Sequence, residues 1–175
     1  MSGKRVANHR KPPLNAALEA KEEDAAEALL DGGADPNEID EVGYNALHRA
    51  AEKGCRLPLF HRILGMIHNV NAVTTDVYGC TAFMMAAAWD RLDMVTALMN
   101  HPGVDVNLQE RNYNFTALHF AVFNNRPAIL AQLLRDSRVD TSLQDNGNDT
   151  PLKDAIRRGH IQCAKILREH GAPEA

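Results

Sequence analysis

The alternation of apolar and polar positions along this chain restarts at regular intervals. The segments PLNAALEAKE (13–22), NALHRAAEKG (45–54), TAFMMAAAWD (81–90), TALHFAVFNN (116–125) and TPLKDAIRRG (150–159) each carry an apolar anchor, an alanine three residues on, and then polar or turn-tolerant residues. Their anchors Leu14, Leu47, Phe83, Leu118 and Leu152 stand 33, 36, 35 and 34 residues apart, which is the spacing of a repeated structural unit. Each copy is followed by a second apolar stripe: Ala25, Ala26, Leu29 and Leu30; Leu59, Phe60, Ile63 and Leu64; Met94, Val95, Leu98 and Met99; Ile129, Leu130, Leu133 and Leu134; then Cys163, Ala164 and Leu167. Spacings of i, i+1, i+4 and i+5 mark one face of a short helix. Turn-rich stretches separate the copies, among them DGGADPNEIDEVG (31–43) and HPGVDVNLQERNYN (101–114). The pattern predicts an all-α chain of helix–turn–helix units joined by hairpin-like loops. A flexible basic tail (1–12) precedes one domain (13–175), with units at about 13–39, 40–75, 76–110, 111–144 and 145–175.

These features resemble the ankyrin-repeat family, whose unit is a β-turn and two antiparallel helices with a TPLHxA signature. Thr150, Pro151 and Leu152 match that signature, followed less fully by Thr116, Leu118 and His119, and by Leu47, His48 and Ala50. GADPN (33–37) and GVDVN (103–107) look like the loop that closes the family's unit. The resemblance implies a solenoid stabilised by contacts between neighbouring units. It also implies that His48 and His119 are structural hydrogen-bonders between successive hairpins. Asparaginyl hydroxylases modify such loops at an Asn after Val, which singles out Asn71 and Asn107. Departures from the pattern fall where backbone geometry is special. Asn114 and Asn148 replace hairpin glycines and Asp90 and Asn125 replace inter-helix glycines, all residue types that tolerate a left-handed backbone; Lys21 at the same turn implies strain.

In TALHFAVF (116–123) the two phenylalanines are three residues apart. The family register implies that Phe120, just after the signature His, packs inward, whereas Phe123 looks onto the concave side. By the same register Trp89 projects from the neighbouring unit, and Glu52, Lys53, Arg157 and Arg158 lie on the same ridge. Val42, Tyr44, Tyr78, Tyr113 and Phe115 fall at hairpin tips. Adjacent exposed aromatics exceed the apolar patch a monomer usually leaves bare, so these residues are read as a partner-binding face.

Composition narrows the remaining classes. The 175 residues are 45% hydrophobic but only 5% aromatic, which favours helices, and a chain of this length buries roughly 70% of its unfolded surface. No apolar run approaches the ~20 residues of a membrane span, and no signal-peptide pattern opens the chain. Cys55, Cys80 and Cys163 form no CxxC, and the histidines show no paired-ligand spacing, so no metal or other cofactor is expected. The sequons NFT (114–116) and NDT (148–150) read as turn geometry and helix caps.

No P-loop, GxSxG or GxGxxG context is present, which leaves an enzyme only a dispersed, unrecognised site. Lys4, Arg5, Arg10 and Lys11 open the chain without an acid, leaving fifteen basic against twenty-three acidic residues beyond them. That balance argues against nucleic acid and for a protein partner with a basic segment. The expectation is a non-catalytic, monomeric binding module of the cytoplasm, acting as an inhibitor or adaptor, since similar short proteins mask Rel-type transcription factors. The basic pairs at 4–5 and 10–11 are a candidate nuclear-import element. Met1 at the start and GAP (171–173) near the end favour a complete small protein; the alternative is a piece of a larger scaffold or signalling protein.

Overall fold

The computed structural model describes residues 11–174; the basic pairs at 4–5 and 10–11 therefore fall outside it, Lys11 excepted. Ten helices follow in pairs: α1 (Pro13–Ala20) with α2 (Glu23–Asp31), α3 (Ala46–Lys53) with α4 (Leu57–Met66), and α5 (Ala82–Ala88) with α6 (Leu92–Met99). The series continues with α7 (Ala117–Phe123) and α8 (Pro127–Leu133), then α9 (Pro151–Arg158) and α10 (Ile161–Glu169). The first helices of the pairs pack in one row, α1 to α3 to α5 to α7 to α9, while α4, α6, α8 and α10 form a second row behind them. Among the described residues the only β pairing is an isolated bridge between Val73 and Thr81.

Local chemistry explains where the helices start. The side chains of Asn45, Thr81, Thr116 and Thr150 each accept the backbone N–H three residues on, satisfying one of the donors a helix start leaves open. Pro13, Pro127 and Pro151 sit at the first helical position, where a missing N–H costs nothing. The turns within pairs use Lys21 (φ 60), Asp90 (φ 61) and Asn125 (φ 52), and Asn114 (φ 57) and Asn148 (φ 58) take the left-handed conformation in the hairpins. Asp and Asn enter that region readily, whereas Lys21 pays a steric cost on the order of 1 kcal/mol.

The repeat anchors Leu14, Leu47, Phe83, Leu118 and Leu152 are buried, as are Leu59, Phe60, Ile63, Val95, Leu98, Ile129, Leu130, Leu133, Cys163 and Leu167 behind them. Ala25 departs from its predicted stripe and is exposed. The hairpins are cross-linked by backbone bonds: Thr75 N donates to Val42 O (3.0 Å), Arg111 N to Tyr78 O (2.9 Å) and Asn146 N to Tyr113 O (2.9 Å). Gly43 (φ 77) is required at the first of these contacts, since a Cβ there would lie 2.5 Å from Thr75 N.

A polar ladder runs along the opposite loops. Asn37 donates to Met66 O and accepts from His68 N; Asn71 donates to Gly103 O and accepts from Asp105 N; Asn107 donates to Arg138 O and accepts from Asp140 N. Each amide thus satisfies a donor and an acceptor of the next unit's loop.

Candidate functional site

The hairpins and the concave-facing ends of α5, α7 and α9 enclose an open groove of about 750 Å³. Each hairpin is closed by an acid that collects backbone N–H groups. Asp40 takes those of Val42 and Tyr44, Asp76 those of Tyr78 and Gly79, Glu110 those of Asn112, Tyr113 and Phe115, and Asp145 those of Gly147 and Asp149. This arrangement sets the tyrosines at successive tips, and Tyr78 and Tyr113 stack with centroids 6.2 Å apart.

In α7, Ala117, Leu118, Ala121 and Val122 take the positions against neighbouring helices, so Phe120 and Phe123, one turn apart, share the groove face. The expectation that Phe120 packs inward is therefore corrected: it is half-buried and lines the groove. Phe115 is corrected in the opposite sense. It is 7% exposed rather than a free tip, because its ring is the hub for Tyr113, His119, Phe120 and Phe123, at centroid distances of 5.5–5.6 Å.

Trp89 (54% exposed), Tyr78 and Tyr113 (44% each) and Phe123 (43%) stand open along the groove, and Tyr44 lines it half-buried. Trp89 is displaced by one residue from the place of Phe123: Phe123 ends α7, whereas α5 ends at Ala88 and Trp89 follows as its C-cap. Of the four predicted ridge charges only Arg157 and Arg158 reach the groove. Glu52 does not line the groove and instead pairs with Arg49, which lies over Tyr44, and with Lys53, at 3.2 Å in each case.

The site also includes residues that sequence reasoning passed over: Met84, Met85, Ala88, Arg126, Asp76 and Asp145. The i, i+3 spacing of Phe120 and Phe123 was a signal for a shared face, but the acids gave none, since their free oxygens emerge only from the turn geometry.

The charges at the groove ends are internally neutralised. Arg157 pairs with Asp149 (3.1 Å) and with Asp154, Arg158 binds both oxygens of the buried Asp154, and Arg126 faces Asp90 at 3.5 Å. At the other end the buried Arg49 is held by Asp40 through Nε (3.1 Å) and Nη2 (2.5 Å), and the Asp40 partnership raises its pKa despite the opposing effect of burial. The acidity inferred for the whole body is concentrated instead: residues 13–41 hold ten acids against Lys21, whereas 42–175 hold fourteen bases against thirteen acids.

His48 caps α3 through Nδ1 and reaches Ala72 O with Nε2 (2.9 Å), linking its unit to the next; burial depresses its pKa to about 4. His119 makes the same cap, but among the described residues its buried Nε2 has no hydrogen-bond partner, and burial lowers its pKa as well. Burial pushes the Cys55 and Cys80 thiols up to about 12, the reverse of an activated nucleophile. Among the described residues no group of three or more His, Cys, Asp or Glu is placed to hold a metal ion, and no helix is long and apolar enough to cross a membrane.

This chain belongs to the ankyrin-repeat family: the sequence model of ankyrin repeats (3 copies) matches residues 13–110, 47–145 and 102–174. It is similar to the nuclear factor NF-kappa-B p105 subunit of Gallus gallus, with 32% identity over 165 residues, covering 91% of this chain and 16% of that protein. Ankyrin repeat protein nuc-2 of Neurospora crassa is 32% identical over 152 residues (85% of this chain, 14% of nuc-2). SMC5-SMC6 complex localization factor protein 1 of Bos taurus is 33% identical over 109 residues (62% and 10%). The chain thus spans a sixth or less of the length of these relatives. Ankyrin repeats are generally protein–protein interaction modules, without catalytic function of their own.

Proposed function

We propose that this protein is a non-catalytic module that binds a protein partner in the groove formed by its concave face and hairpin tips. The observation that carries the reading is the row of exposed rings, Tyr78, Tyr113, Trp89 and Phe123, along one groove. Contiguous aromatic surface of this kind concentrates binding energy at interfaces. Depressed histidine and raised cysteine pKa values support the non-catalytic reading, since neither group is poised for proton transfer or attack near neutral pH. The module acts as a monomer in the cytoplasm, with nuclear entry assigned to the basic pairs of its first eleven residues. Its role is that of an inhibitor or adaptor, a reading supported by the likeness to the p105 subunit. A second reading, a binding unit within a larger scaffold or signalling protein, is favoured by the much greater length of the relatives.

The test places a photoreactive phenylalanine analogue at Tyr78, and at His61 on α4 as a control, and irradiates native cell extracts. A defined cross-linked protein is expected from Tyr78 alone, and it should disappear when Trp89 and Phe123 are both changed to Ser. The same products from both positions, or none from Tyr78, would overturn the groove as the binding face.

A further inference from the structure

Two rings of this groove already carry a guanidinium from the chain itself. Arg49 lies over Tyr44 at 4.2 Å from the ring centroid, and Arg158 over Phe123 at 3.9 Å. In both cases an aspartate fixes the arginine from behind, Asp40 for Arg49 and Asp154 for Arg158. Between them lie α5 and its C-cap residue, where the groove-lining Met84, Met85, Ala88 and Trp89 carry no charge. Ala88 stands at the last helical position that Phe123 fills in α7, so the space above it is open. Among the described residues no cation lies over Trp89, Tyr78 or Tyr113.

The rim of this central stretch supplies unneutralised carboxylates. Asp76 bonds Thr74, Tyr78 and Gly79 through Oδ1 alone, and Asp145 bonds Gly147 and Asp149 through Oδ1 alone. Their Oδ2 atoms make no hydrogen bond, and neither residue forms a salt bridge among the described residues. Burial first, and then the charges of Glu52 and Asp76, push the Tyr44 pKa up to about 12.

An exposed ring beside a free carboxylate oxygen attracts a planar cation, which stacks on the ring while its N–H groups meet the oxygen. We infer that the centre of the groove receives an arginine side chain from a protein partner, its guanidinium against Trp89 and the Tyr78–Tyr113 pair and its charge met by Asp76, the acid of the Tyr78 hairpin. Arginine suits the place better than lysine because its flat face stacks on the rings while its edge still presents N–H donors to the carboxylate. The inference rests on the groove-docking reading above and narrows the partner to one that presents an arginine.

The probe is a short labelled peptide of Gly, Ser and Leu with one central Arg, followed by fluorescence anisotropy and by emission of Trp89, the single tryptophan. Saturable binding with a change in Trp89 emission is expected. Affinity should fall about tenfold or more with citrulline in place of Arg, with Trp89→Ala, and with Asp76→Asn. Asn keeps the Oδ1 acceptor that closes the hairpin, and an unchanged melting temperature verifies that the turn survives. Equal binding of the Arg and citrulline peptides, or no binding at millimolar peptide, would overturn the arginine subsite. So would retained affinity in Trp89→Ala, which would move the peptide to the acidic first unit. The cross-linking result at Tyr78 stands apart from all of these, so a groove that binds a partner without arginine is distinguished from a groove that binds nothing.

Discussion

Arg158 lies face-on over Phe123, 3.9 Å from the ring centroid, while its Nε bonds both oxygens of the buried Asp154 at 2.7 and 2.8 Å. The pair shows that a ring can be exposed to partners and still be oriented from one side. The aromatics of the groove fall into distinct energetic kinds. Phe115→Ala should cost about 3–5 kcal/mol, the range for emptying a buried aromatic site, and Phe120→Ala about 1–3 kcal/mol because one face already meets the groove. Phe123→Ala and Trp89→Ala should each cost under about 1 kcal/mol, as ordinary surface changes do. Urea denaturation of the four variants checks the order; unfolding of Phe123→Ala as severe as that of Phe115→Ala would place Phe123 in the core.

A second prediction concerns the buried ion pair at the other end of the groove. Asp40→Asn retains an acceptor for the Val42 and Tyr44 N–H groups but removes the charge facing Arg49. Arg49 keeps Glu52 at 3.2 Å and Glu19 at 3.8 Å, so losing its most buried partner should destabilise the fold by less than the roughly 3–5 kcal/mol of a fully unpaired buried charge. Arg49→Met should cost less, because Asp40 keeps its two backbone donors. Equal losses in the two variants would show that the pairing itself contributes little.

The third follows from His48, whose folded pKa of about 4 lies below the ordinary 6.5. Between those values the unfolded chain binds a proton that the folded chain refuses. The contribution is therefore complete above pH 6.5 and is lost as pH falls toward 4, by about 2–3 kcal/mol between pH 7 and 4.5. His119 shifts in the same direction and adds to the loss. Denaturation of the wild type and of His48→Gln at both pH values measures it: the variant should lose less stability on acidification.

The asparagine ladder supplies the fourth. Asn71→Ala and Asn107→Ala each delete a donated and an accepted bond to the following loop. Each should cost about 1–2 kcal/mol. Hydrogen exchange should accelerate at Asp105 in the first variant and at Asp140 in the second. Hydroxylation of either side chain, proposed from the family resemblance, would be read as an added oxygen on the peptide from native protein.

The helices and turns of this protein were legible in the sequence because their determinants are local. Five anchors in one register, caps such as Thr116 and Thr150, and turn residues such as Asn114, Asn125 and Asn148 each act within a few residues of themselves. Hence the ten helices and the left-handed turns could be read from spacing and residue type. The aromatic site was only partly legible, because burial there depends on how the side chains of a hairpin fold over the helix that follows it. Phe115 is buried and Phe120 half-open through the way a hairpin leans on its own helix, a direction that spacing does not encode. Likewise Asp76 and Asp145 read as loop acids in sequence. Only the folded hairpins, each using one carboxylate oxygen for its turn, decide that the other is left without a hydrogen bond on a groove-lining residue.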